Sequence, residues 1–226
     1  MLMWMGLVMT VVFYWGGKTL YKKVRFVLLN PMITCLIALI VVLLCTHMSY
    51  STYFSRSKLL TDMLNPATVA LAIPLYRHFD VLKRHIAEFL LSLACGATVA
   101  VTSSVLLARV MRLSGSIALS VAPRSVTTPI AMDISQTLGG IPALTAVFVI
   151  ITGLSGVILG PLIIRVCRIQ SSVAKGTLFG MGCHGLGTAR AFEIGQMEGT
   201  CASLSMVTAA FITLALAPVL VPLLRA

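Results

Sequence analysis

The sequence predicts an all-α, polytopic integral membrane protein, and three observations carry that reading. Of 226 residues, 58% are apolar and only 10% are charged, whereas a soluble domain carries about 25% charged residues. Mean hydropathy is +1.02, so apolar side chains exceed what a soluble surface can hide and a second apolar phase must cover the rest. Four stretches, 26–55, 89–108, 134–164 and 199–224, lack Asp, Glu, Lys and Arg altogether. Crossing a hydrocarbon layer of ~30 Å takes about 20 such residues.

The remaining elements follow in chain order. Residues 1–17 make a shorter fifth span, with Lys18, Lys22, Lys23 and Arg25 after it and no basic region before it, an order that favours an outside N-terminus over a cleaved signal peptide. Segments 63–76, 113–133 and 176–192 are apolar but interrupted. The expectation is about five full transmembrane helices plus up to three broken or re-entrant segments, all in one membrane domain, 1–226. The basic clusters 18–25, 77–85 and 165–175 are assigned to the cytoplasmic side. Arg109 and Arg112 then fall on the far side, and the return to residue 165 makes 113–139 re-entrant and 141–164 a true span. Leu29-Asn30-Pro31 and Gly140-Ile141-Pro142 open similar patterns about 111 residues apart. That spacing suggests an internal, inverted repeat with halves 1–112 and 113–226.

Charge and cysteine usage exclude other classes. The net charge of +11 sits in short clusters between apolar runs and forms no stripe of the kind nucleic acid requires. Six cysteines without a CxxC pair read as free thiols, and the four histidines are too scattered for a metal site. No Walker loop, zinc motif or nucleophile elbow is present, so nothing points to an enzyme or to a cofactor.

Chemistry is sought where polar residues interrupt apolar segments, because an unsatisfied polar group in hydrocarbon costs several kcal/mol. Asn65-Pro66 and Thr128-Pro129 each place a capping side chain before a proline, the N-cap and N1 arrangement. A helix that starts inside the membrane aims free N–H groups and a positive dipole end at an anion, typically a carboxylate. The run from Ala122 to Pro129 holds two prolines, three hydroxyls (Ser125, Thr127, Thr128) and Arg124, whose guanidinium suits a carboxylate. The alternative for Arg124 is snorkelling to the interface. In Gly182-Cys183-His184-Gly185-Leu186-Gly187-Thr188-Ala189-Arg190, three glycines predict an unwound stretch. His184 is then a candidate carrier of a coupled proton, and Thr188 and Arg190 are candidates for a substrate carboxylate. The alternative there is a close glycine-mediated helix crossing, with His184 bonded to a neighbouring backbone. Asp133, one turn beyond the Thr128-Pro129 break, is a second proton-coupling candidate or an arginine partner. Glu198 reads as an interfacial helix cap.

The motifs Ser125-Val-Thr-Thr-Pro-Ile-Ala131, Gly139-Gly-Ile-Pro-Ala-Leu144 and His184-Gly-Leu-Gly-Thr-Ala-Arg190 come in an order that resembles the LrgB/CidB family. Asn30-Pro31, Asn65-Pro66 and Glu198-Gly199 extend the resemblance over essentially the whole chain. The family was named for antiholin-like modulation of murein hydrolase activity and autolysis, usually with a smaller holin-like partner of the LrgA/CidA type. Other members resemble carriers of small monocarboxylates such as glycolate, glycerate or pyruvate. The resemblance implies a multi-pass protein of the bacterial inner (cytoplasmic) membrane. It also places Ser125, Thr127, Thr128, His184, Thr188 and Arg190 in the site. On the residue reading the first expectation is a secondary transporter, or a subunit of one, working as a homo-oligomer in the lipid bilayer. The alternative is a regulator of murein hydrolase export and autolysis.

Overall fold

A computed structural model describes residues 5–24, 29–63, 66, 69, 73, 76, 79–84 and 86–225. The chain divides into two compact units, Met1–Ala67 and Thr68–Ala226, where the sequence suggested one domain with halves meeting at 112 and 113. Asn65 and most of segment 63–76 lie outside the described residues.

In the first unit, α1 (Met5–Val24) and α2 (Pro31–Cys45) run antiparallel. Gly17 lets Pro31 approach, and the Cys35 thiol faces the carbonyl of Thr10 at 3.5 Å. Two short helices follow, α3 (Tyr50–Arg56) and α4 (Lys58–Asp62). The expected span 26–55 does not form as one helix. His47 takes φ 50°, and Met48 N–H donates back to Leu43 O at 3.2 Å, which terminates α2. The Ser49 hydroxyl then caps α3 by accepting from Thr52 N–H at 3.3 Å.

The second unit holds α5 (Phe79–Arg84), α6 (Ile86–Val110), α7 (Gly115–Val121), α8 (Thr128–Leu138), α9 (Pro142–Val166), α10 (Ser172–Ile194) and α11 (Gln196–Arg225). Among the described residues three helices, α6, α9 and α11, are long and apolar enough to cross a membrane. Each 25-residue helix is about 37 Å long. α7 and α8 are far too short to cross, at about 10 and 16 Å.

Two segments fold back on themselves. In the first, Ile141 N–H donates to Ser120 Oγ at 2.7 Å, and Gly140 lies against the Leu119–Ser120 backbone. The end of α8 therefore returns beside the end of α7, and residues 122–127 form the tip. Segment 113–139 is thus a hairpin, the geometry that a re-entrant segment requires. In the second, the helical path of α10 breaks at His184, with φ 51° and ψ −130°. Beyond it Gly187 packs directly on the carbonyl of Phe179 and on Cys183 Cβ, which a continuous helix would hold a full turn or more away. The glycines do not unwind a stretch, as the sequence suggested. Gly187 permits the close packing, Gly182 and Gly185 have open space around them, and the break falls on one residue.

The hairpins enter from opposite ends of this unit. Arg109 at the end of α6 donates to Leu224 O at 3.2 Å, which places the base of the first hairpin at the C-terminal end of α11. Gly176 in the first turns of α10 packs on Glu198, Cys201 and Ala202, which places the base of the second at the N-terminal end of α11. Arg165 and Arg168 therefore share an end with the start of α6, opposite to Arg109 and Arg112.

The boundaries of this unit repeat with an interval of 56 residues. α6 and α9 both have 25 residues, and 142 − 86 and 166 − 110 both equal 56. Both helices close with the same cap. Arg112 (φ 52°) donates to Arg109 O and Leu113 to Ala108 O, while Arg168 (φ 51°) donates to Arg165 O and Ile169 to Ile164 O. The sequence shows it as Arg109-Val-Met-Arg-Leu113 and Arg165-Val-Cys-Arg-Ile169. The repeat seen within this unit thus pairs helix and hairpin 86–138 with helix and hairpin 142–194.

Candidate functional site

The tips of the two hairpins meet. His184 lies with its imidazole against the main chain of Ser125 and within electrostatic range of Arg124. The surroundings are dry: Ala122, Val126 and His184 are 0%, 1% and 5% exposed, and Pro123 is fully buried. In this conformation the tips are closed on one another.

Arg124 is half-buried and turned inward. Its Nε donates to Ser104 Oγ of α6 at 2.8 Å, and Nη1 makes a long contact of 3.5 Å with Thr152 Oγ1 of α9. It does not snorkel. Among the described residues it forms no ion pair with a carboxylate. The carboxylates of this unit point elsewhere: Asp80, Glu88, Asp133 and Glu193 are exposed, and Glu198 bonds its own backbone and Ser172. A guanidinium drawn out of water without a countercharge favours an anion from outside the protein.

Thr127, one residue before the expected Thr128, is the N-cap of α8, and Thr128 and Pro129 occupy the first turn. The shift puts the extended conformation that a cap needs on Thr127 (φ −56°, ψ 141°). Its hydroxyl makes no capping bond, and Oγ1 is buried without a partner. His184 Nε2 is likewise buried and without a partner. Each such atom carries a desolvation penalty of about 1–3 kcal/mol. Two buried polar atoms, one on each tip, are thus left without partners, and the Arg124 guanidinium lies within electrostatic range of His184.

The other candidates take different places. Ser125 and Thr128 are half-buried at the first tip. Thr188 donates from Oγ1 to His184 O at 2.9 Å and touches Met206 Sδ at 3.9 Å, so its proton already serves the carbonyl at the break. Arg190 forms an i,i+3 ion pair with Glu193 on the returning arm, and its Nε is buried without a partner. Asp133 is exposed on α8, away from the tips. Asn65 lies outside the described residues. Ser104 and Thr152 were missed by the sequence reading. Their hydroxyls look like those of any apolar helix, where back-bonding suffices, and Ser104 does donate to Ala100 O at 2.6 Å. The available signal was position: each is a hydroxyl inside a long charge-free run, 89–108 for Ser104 and 134–164 for Thr152.

Known proteins resemble this chain along nearly its whole length. The model of the LrgB-like family matches residues 10–223. A Bacillus subtilis protein, YwbG, is 45% identical over 215 residues, 95% of this chain and 96% of the relative. A second Bacillus subtilis protein, YxaC, is 37% identical, over 88% of this chain and 87% of its own length. A protein of Staphylococcus epidermidis with the name Holin-like protein CidB is 33% identical, over 95% of this chain and 94% of its own length. No solved structure matches.

Proposed function

This chain belongs to the LrgB-like family, and from that premise we propose that it is a multi-pass membrane carrier which binds a small monocarboxylate between its two hairpin tips. The observation that carries the reading is Arg124: a half-buried guanidinium held by two hydroxyls, with no protein carboxylate among the described residues to neutralise it. An anionic substrate supplies the charge, while Thr127 Oγ1 and His184 Nε2 supply hydrogen bonds to its oxygens. Glycolate, glycerate and pyruvate have the size and charge for such a cradle. Broken helices that enter from opposite ends and meet in the interior are the architecture by which carriers expose one site to each side in turn. His184 is the group in the cradle able to move a proton with the substrate. Asp133, the other proton-coupling candidate, is exposed on α8.

A second reading is favoured by the names of relatives, which speak for it more directly than for the first. With Holin-like protein CidB among them, the chain acts in the inner membrane with a holin-like partner of the LrgA/CidA type and regulates murein hydrolase export and autolysis. A homo-oligomer suits either reading.

Purified protein in liposomes separates the two, because neither wall nor hydrolase is present. Uptake of radiolabelled glycolate or pyruvate, lost in Arg124→Ala at unchanged protein level, is the outcome expected of the carrier. The absence of flux, together with altered hydrolase activity in cells that carry Arg124→Ala, would leave the regulatory reading.

A further inference from the structure

A cavity of about 290 Å³ opens away from the hairpin tips, walled by Glu88, Phe89 and Ser92 of α6, by Ser171, the N-cap of α10, and by Ala174 and Thr177 of α10, among others. It lies at the end of the unit that carries Arg165, Arg168 and Lys175, where the chain enters and leaves α10.

Two lines of residues lead inward from it. On α10, Ala174, Thr177, Met181 and His184 follow one another at intervals of three, four and three, which places them on a single helical face. That face begins in the cavity wall and ends at the imidazole of the site. On α6, Ser92, Gly96 and Ser104 lie along one i+4 ridge, which begins in the same wall and ends at the hydroxyl that holds Arg124.

The two lines touch where Met181 meets Gly96. A Cβ on Gly96 would lie 2.5 Å from Met181 Sδ and 2.6 Å from Cε, so the end of the Met181 side chain occupies the space that glycine leaves empty. Met181 also packs against the cluster of Phe89, Leu93, Cys201 and Leu204. A thioether on three rotatable bonds moves aside at little cost, which a branched or aromatic side chain in a packed core does not.

We propose that this cavity is the vestibule through which the carboxylate reaches the hairpin tips from the Arg165 end, and that Met181 seated on Gly96 is the constriction that sets the size of what passes. The inference rests on the carrier reading above. The wall offers the hydroxyls of Ser92, Ser171 and Thr177, its one charged residue is Glu88, and the cations Arg165, Arg168 and Lys175 belong to the same end of the unit. Neither Met181 nor Gly96 contacts the anion once it is bound. They act on selection and entry, and the cradle is left as it is.

The test uses full-length protein in liposomes and two labelled probes, glycolate and the bulkier 2-hydroxy acid mandelate. In Met181→Ala the ratio of mandelate to glycolate uptake rises about tenfold, the scale at which a changed pocket wall discriminates. In Gly96→Val both rates fall, and the double variant Gly96→Val/Met181→Ala recovers glycolate uptake. Loss of Met181 packing alone would lower thermal stability and leave the ratio untouched. Wild-type uptake of glycolate with an unchanged ratio in Met181→Ala overturns this inference and leaves the carrier standing. No glycolate uptake by the wild type overturns both.

Discussion

Arg124 and Ser104 come from different elements, a hairpin tip and the interior of α6, and the guanidinium Nε donates to the hydroxyl at 2.8 Å. Ser104 in turn donates to Ala100 O at 2.6 Å, so its one proton is committed and it meets Arg124 as an acceptor. The bond fixes the plane of the guanidinium, Nη1 reaches Thr152 Oγ1 by a long contact, and Nη2 is left for a ligand. Ser104→Ala removes a hydrogen bond to a charged group, worth about 1.5–3 kcal/mol. The expected outcome is a KM for glycolate raised about tenfold or more with kcat nearly unchanged, since Arg124 remains but is no longer aimed. A fall in kcat at constant KM would place Ser104 outside ligand positioning.

Thr127 separates binding from stability. Its Oγ1 has no partner in the closed tip, so Thr127→Val takes no bond away and removes a desolvated polar atom. Thermal unfolding in detergent is expected to shift upward or stay level, by about 1 kcal/mol at most. Glycolate binding is expected to weaken. A variant that is both destabilised and binds normally would show that the hydroxyl serves the fold.

His184 occupies a backbone conformation that side chains rarely adopt, φ 51° and ψ −130°, at a cost on the order of 1–3 kcal/mol. His184→Gly relieves that strain and deletes the imidazole. The protein is expected to unfold at an equal or higher temperature and to lose uptake, whereas His184→Ala loses both stability and uptake. If His184→Gly transported normally, the imidazole would have no part in the cradle.

The glycines of α10 differ sharply in what surrounds them, which allows a paired test. A Cβ at Gly180 would run into the backbone of Ala202, which cannot swing away, while one at Gly182 meets nothing within 4 Å. Gly180→Ala is expected to destabilise the protein by about 1–3 kcal/mol. Gly182→Ala is expected to be neutral or slightly stabilising, because it replaces the poorer helix former. Equal melting temperatures for the two would contradict the hairpin packing described.

Much of this was legible in the sequence. Charge-free runs 89–108 and 199–224 became α6 and α11, and 134–164 became the last turn of α8 and most of α9, since only a long apolar helix satisfies its backbone away from water. Prolines and glycines marked both breaks, around Thr128 and His184. The register of the cap was off by one residue, because a proline is accepted at either of the first two helical positions and Thr127 and Thr128 are chemically alike. The 56-residue repeat within the second unit was not read from hydropathy, which is nearly uniform along membrane helices and sets no register. The Arg-Val-x-Arg caps ending at Leu113 and Ile169 did fix it, through charged residues that cannot slide. Ser104 and Thr152 were hidden for a different reason: their role depends on where Arg124 reaches in space, which no local pattern records.

Everything proposed for the hairpin tips depends on a small anion sitting at Arg124. Equilibrium binding of radiolabelled glycolate to purified protein, wild type against Arg124→Gln, measures this without requiring transport. Saturable binding by the wild type, with affinity lowered at least about tenfold in a folded Arg124→Gln protein, is the result expected. Equal binding by the two would place the anion elsewhere and contradict the site.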